Sequence, residues 1–148
     1  MKGRRVDEEA LRLACRLVRE GKGAVHVLYV IEVARSLPLD AEIPAETAKG
    51  EEALARMEEV GKECKCHVEG AILQAREAGP AVVQDAEERG VDLIVMGMPY
   101  ERLYGVSSLG HTVPHVLKNA SCPVLVWREG MSPEAEAHAN ASTREQTP

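Results

Sequence analysis

No block of lysines and arginines occurs anywhere in this chain of 148 residues, and its formal charge is −6. Those two absences argue against a nucleic-acid groove or an anionic membrane surface as the main partner. No run of about eighteen apolar residues is present, as a membrane-spanning helix requires. No basic-then-apolar leader opens the sequence either, so the expected setting is the cytoplasm. Cysteine is sparse. Of four, Cys15 falls on a helical face, Cys122 opens a strand, and only Cys64 and Cys66 are close together, which is no disulfide framework. Internal repeats are lacking, and 45% hydrophobic residues suffice for one core without a metal or disulfide staple.

What is present is helix and strand in alternation. From Asp7, read as an N-cap, the residues Leu11, Ala14, Cys15 and Val18 recur at helical spacing until Gly21 and Gly23. Val25 to Ile31 reads as a buried strand, and Ala34 to Ala45, with Pro38 and Pro44, as a loop. A helix is predicted over Glu46 to Glu63 and a strand over Cys66 to Leu73. Gly79-Pro80 then restarts a helix that Gly90 ends. Strands follow at Val91 to Met96 and Cys122 to Trp127, with a short helix between Leu109 and Asn119. Pro114 is tolerable there only in the first turn, which puts the helix start at Thr112 or Val113. Residues 1–129 make one α/β domain, and 130–148, rich in Glu, Ala, Ser, Thr and Pro, a flexible tail.

Such alternation implies a doubly wound, mostly parallel sheet with helices on both faces. Ligands of such sheets bind at the carboxyl ends of the strands. Gly97 ends the Val91 strand, and Gly110 stands where the next helix begins. A glycine after a buried strand lets backbone approach a ligand closely, and one before a helix offers bare N–H groups to an anion. This is the architecture of a nucleotide site.

The chain resembles the universal stress protein family, an adenine-nucleotide alpha hydrolase-like fold. The family signature is Gly, two residues, Gly, nine residues, then Gly followed by Ser or Thr; here it reads Gly97-Met98-Pro99-Tyr100, nine residues, Gly110-His111. Asp92 to Gly97, Leu28 to Glu32 and the run Val116 to Val126 around Cys122-Pro123-Val124 are similar to family strands and the last helix. The likeness spans about Val6 to Arg128. It implies an adenine nucleotide, ATP with magnesium in the members that bind it, near Gly97, Met98, Gly110, His111 and Thr112, with the Val30 backbone at the adenine edge. Three features depart from the pattern. Tyr100 stands for a phosphate-loop glycine. His111 replaces the hydroxyl residue, although Thr112 follows and Ser107 and Ser108 precede, and an imidazole would serve phosphate best when protonated. The family's central first strand and its acidic residue have no counterpart in Met1 to Arg5, so two strand edges are expected to lack a partner. The expectation is a start upstream, with a neighbouring chain or rearranged pairing as the alternative.

Other candidates read more plainly. Cys64-Lys65-Cys66-His67 could hold a soft metal, but without a second ligand pair structural roles are favoured, and no metal site is assigned. His26 takes the same reading, Met57 reads as core filler, and Asn140-Ala141-Ser142 as an inert sequon. Ser107 and Ser108 have no Gly-x-Ser-x-Gly elbow, so no catalytic residue and no enzyme activity are expected. Two classes remain: a regulatory domain binding an adenine nucleotide, or a dimeric stress or interaction protein that acts through protein contacts without nucleotide. The resemblance makes the Cys122 strand outermost, and its apolar edge predicts a homodimer burying Val124, Val126 and Trp127.

Overall fold

The computed structural model describes residues 1–19, 22–100, 102–103, 106–107 and 109–131. Helix α1 (Arg5–Val18) turns Val6, Ala10, Leu11 and Cys15 inward. It begins before Asp7, which is not its N-cap: the Asp7 carboxylate sits in the first turn and accepts the backbone N–H of Arg4 at 2.9 Å and of Lys2 at 3.0 Å. These bonds satisfy donors that the helix itself cannot. Asp7 is the one buried charged residue among the described residues, at 7% exposure. Asp7→Ala is expected to cost about 1–2 kcal/mol of stability, read from the urea midpoint.

Strands β1 (Val25–Glu32) and β2 (Val68–Ala75) run parallel with Val25 opposite Val68, joined by α2 (Pro44–Glu63). Pro44 occupies the first turn of α2, where its missing N–H costs nothing, so this helix starts earlier than Glu46. β2 starts later than expected. Cys66 donates to the Gly61 carbonyl at 2.9 Å and Lys65 adopts φ +54, so the end of α2 claims Cys64 to Cys66 before a strand can form. The loop from Val33 to Ile43 is tied down by β2 and the residue after it. Arg76 Nη1 donates to the carbonyls of Ala34 at 2.6 Å and Leu37 at 2.8 Å, and Gln74 Nε2 to those of Leu39 and Ala41 at 2.9 Å.

Helix α3 (Ala78–Arg89) ends on Gly90 at φ +63. Val91 still donates to the Ala86 carbonyl at 3.2 Å, so β3 (Ile94–Met98) starts later than Val91 and runs through Gly97 instead of stopping on it. A hairpin of β4 (Arg102–Leu103) and β5 (Val106–Ser107) precedes α4 (Thr112–Asn119), which starts where Pro114 requires. The last strand, β6 (Val124–Arg128), lies parallel to β3 with Ile94 opposite Val124 and Met98 opposite Arg128. The ladder opens with the Ile94 N–H donating to the Pro123 carbonyl at 3.0 Å, and because proline has no N–H to extend it toward Cys122, the strand starts later than expected.

Helix α1 packs on α2 and α3 on α4, with α2 and α3 both against β1 and β2. Helices therefore cover both faces of parallel strands, the doubly wound class. The parallel sheet is in two pieces, however: β1–β2 and β3–β6 share no hydrogen bonds, and no described strand lies between them. The amino-terminal turn links them instead. Met1 packs against both core clusters and its ammonium donates to the Leu28 carbonyl on β1 at 2.7 Å, while Val6 reaches Gly97 on β3. Leu11, Cys15, Met57 and Val60 form one cluster and Tyr29, Ile31 and Ala53 the other.

Candidate functional site

The carboxyl ends of β3 and β6 and the start of α4 form one edge of the molecule. Gly110 adopts φ +66, a conformation that side chains other than glycine rarely take, and this turn delivers the chain into α4. His111 is the N-cap, exposed and making no side-chain cap bond. The first backbone N–H groups of the helix, from Thr112 onward, have no acceptor inside the helix and carry the positive end of its dipole. Gly110, His111 and Thr112 thus stand in succession at this turn.

Gly97 is committed elsewhere. A Cβ built on it would lie 3.0 Å from the Val6 carbonyl oxygen and 3.2 Å from Asp7 Oδ1, so its bare α-carbon receives the first turn of α1. Met98 is buried and its carbonyl accepts the Glu129 N–H at 2.8 Å. Val30 lies in the ladder of the other strand pair, opposite Leu73. The ring of Tyr100, in place of a glycine, is stacked under the Arg128 guanidinium with 4.8 Å from its carbon to the ring centroid, a cation–π contact. It therefore leans toward the end of β6, and it brings a cation to this edge.

Sequence reasoning missed two residues here. Asp7 reads as a helix cap in the sequence, yet it puts a carboxylate beside Gly97. Nothing in the spacing could signal this, because it depends on how α1 docks against β3. Arg128, read only as the residue after an apolar strand, is drawn to the edge by its register opposite Met98. Ser107 falls in β5, while Ser108 and the sequon at Asn140 lie outside the described residues. Of the outer-strand residues, Val124 and Val126 are half-buried. Trp127, at 39% exposure, donates from Nε1 to Glu9 Oε2 at 3.0 Å. Two cavities stand away from this edge. One of about 110 Å³ is lined by His26, Leu28, Asp85 and Arg89 among others, and one of about 220 Å³ by Arg12, Cys15 and Cys64 among others.

Parallel strands between helices, with a glycine turn feeding a helix at their carboxyl edge, define a doubly wound α/β protein. The sequence profile of the Universal stress protein family matches residues 1–128, and the chain belongs to that family. It is 32% identical over 133 residues to the Universal stress protein MJ0531 of Methanocaldococcus jannaschii, covering 86% of this chain and 78% of that one. Two solved structures share the fold. The universal stress protein from Archaeoglobus fulgidus, in complex with dAMP, superposes with a TM-score of 0.66 at 18% identity, over 83% of this chain and 88% of that one. A universal stress protein family protein from Arabidopsis thaliana with AMP bound gives 0.58 at 19% identity, over 82% of this chain and 76% of that one.

Proposed function

We propose that this chain is a non-enzymatic regulatory domain of the cytoplasm that binds an adenine nucleotide weakly through one phosphate, seated on the amino end of α4. The observation that carries the reading is the Gly110 turn into α4, whose N-cap makes no side-chain cap bond. The dAMP and AMP bound by the two structural relatives support an adenine ligand. A second phosphate seat at Gly97 is disfavoured, because the Val6 carbonyl and the Asp7 carboxylate face that glycine and both repel an anion. ATP therefore needs magnesium to compensate, and gains nothing over AMP.

Calorimetric titration of the full chain tests this. AMP is expected to bind in the micromolar to millimolar range, about 4–8 kcal/mol, with ATP and magnesium no tighter. Absence of heat with millimolar AMP overturns the reading, and an ATP dissociation constant below about 1 μM overturns the single seat. Tyr100→Gly, which removes the ring stacked on Arg128 and opens the loop, is expected to tighten AMP by about fivefold, near 1 kcal/mol.

A homodimer through β6 belongs to the same proposal. Among the described residues β6 pairs only with β3, which leaves its outer edge for the same strand of a second copy, with Val124, Val126 and Trp127 in the contact. Sedimentation of the full chain at micromolar concentration is expected to show a dimer, and Val126→Lys a monomer. A dimer that survives the substitution places the interface elsewhere.

A further inference from the structure

At the end of the strands away from α4, three thiols converge that are scattered in sequence. Cys15 on α1 is 3% exposed and belongs to the cluster of Leu11, Met57 and Val60, against which Cys64, Cys66, Val25 and Val68 also pack. Burial, followed by the neighbouring Cys66 and Cys64 thiols, pushes the Cys15 thiol up to about 12. Cys64 caps α2 and is only half-buried. Arg12 Nη1 donates to its sulfur at 3.6 Å while Nη2 holds Glu63 at 2.6 Å, and Arg19 Nη2 donates to the Cys64 carbonyl at 3.5 Å. The open cavity of about 220 Å³ is lined by Arg12, Arg16, Arg19 and Glu63 together with Cys15 and Cys64, so the two cysteines border the same space. Cys66 is not part of that lining, and its thiol donates to the His67 carbonyl at 3.8 Å. The described residues contain no group of His, Cys, Asp or Glu arranged for a metal ion, and all four cysteines are free.

We propose that Cys64 and Cys15 form a peroxide-reactive dithiol: a small hydroperoxide entering the arginine-lined cavity oxidises Cys64, and Cys15 captures the product as a disulfide joining α1 to the end of α2. In the first step the Cys64 thiolate attacks the outer peroxide oxygen. A sulfur–oxygen bond forms, the oxygen–oxygen bond breaks, and the departing alkoxide or hydroxide takes a proton, so sulfur is oxidised to sulfenic acid and the peroxide reduced to alcohol or water. In the second, the Cys15 sulfur attacks the sulfenic sulfur, and the Cys15 proton leaves with the hydroxyl as water. The Arg12 guanidinium serves the first step by holding the Cys64 sulfur at the cavity wall through a charge-assisted bond, the stronger kind. Burial suits Cys15 to the second role: packed among Leu11, Met57 and Val60, it is shielded from solvent until an electrophilic sulfur forms beside it.

The test is oxidation of the full reduced chain with stoichiometric hydrogen peroxide, followed by intact mass and peptide mapping. The expected product is about 2 Da lighter, with the Cys15 and Cys64 peptides linked and a higher melting temperature. Cys64→Ser, at a half-buried position, is expected to lose that product. Cys15→Ala should accumulate a sulfenic acid on Cys64 that a nucleophilic trapping reagent captures. Arg12→Gln should slow the reaction by about tenfold. Circular dichroism establishes that each variant is folded; if Cys15→Ala is not, the Cys64→Ser result and the wild-type map decide. A disulfide that persists in Cys64→Ser, a wild-type link through Cys66 or Cys122, or oxidation of the wild type without any disulfide overturns the proposal.

Discussion

Met57→Ala is expected to destabilise the domain by about 2–5 kcal/mol, the largest loss of any single truncation here. Met57 is 1% exposed and lies among Leu11, Cys15 and Val60, so removing its three terminal heavy atoms leaves a cavity in the layer that holds α1 onto α2. The surroundings are poorly placed to collapse into it. Val60 is fully buried, and the two strand pairs share no hydrogen bonds across which strain could be spread. A small domain has about 5–15 kcal/mol in total, so a loss at the upper end leaves little folded protein. Urea unfolding followed by circular dichroism measures it. A loss under about 1 kcal/mol would show that Leu11 and Cys15 repack freely and that Met57 does not hold α1 onto α2.

His111→Glu is the functional counterpart, with binding and stability expected to move in different directions. A carboxylate at the amino end of α4 faces the positive end of the helix dipole, which favours the folded state by about 0.3–1 kcal/mol. The same carboxylate stands where the nucleotide phosphate is proposed to sit. Like charges at that distance, added to the loss of the imidazole donor, are expected to weaken AMP by at least tenfold, about 1.4 kcal/mol. Parallel calorimetry and thermal melts read both effects on one preparation. Unchanged AMP affinity would remove the phosphate from α4, whereas a lower melting temperature would mean that His111 holds the turn through contacts of its own.

Gly90, Gly110, Pro80 and Pro114 announce helix boundaries through local conformational preference alone, and each boundary falls within a turn of its signal, whereas Pro44, expected in the loop, opens α2. The same reasoning misplaced β2, β3 and β6 at one or both ends. The apolar character that identifies a buried strand does not say which of its residues pair, and helix-cap bonds take Cys66 and Val91 out of the ladders. The thiol cluster was half visible as Cys64 and Cys66, but Cys15 joins it only because α1 packs on α2.

The sequence by itself determined the order of helices and strands outside the β4–β5 hairpin, the parallel class and the family, since these rest on periodicity, on glycine and proline at turns, and on a run of residues about the Cys122-Pro123 junction. It also determined that a glycine turn leads into α4. Only the tertiary structure decided what each glycine of the signature does. Gly97 gives its bare face to the Val6 carbonyl and the Asp7 carboxylate, and Gly110 keeps its turn at φ +66 at the start of α4. The physical reason is range. A backbone conformation is set by a residue and its nearest neighbours, whereas the occupant of a glycine's empty side is set by where α1 docks against β3. That docking depends on the burial of Val6, Ala10 and Leu11, far from Gly97 in the chain.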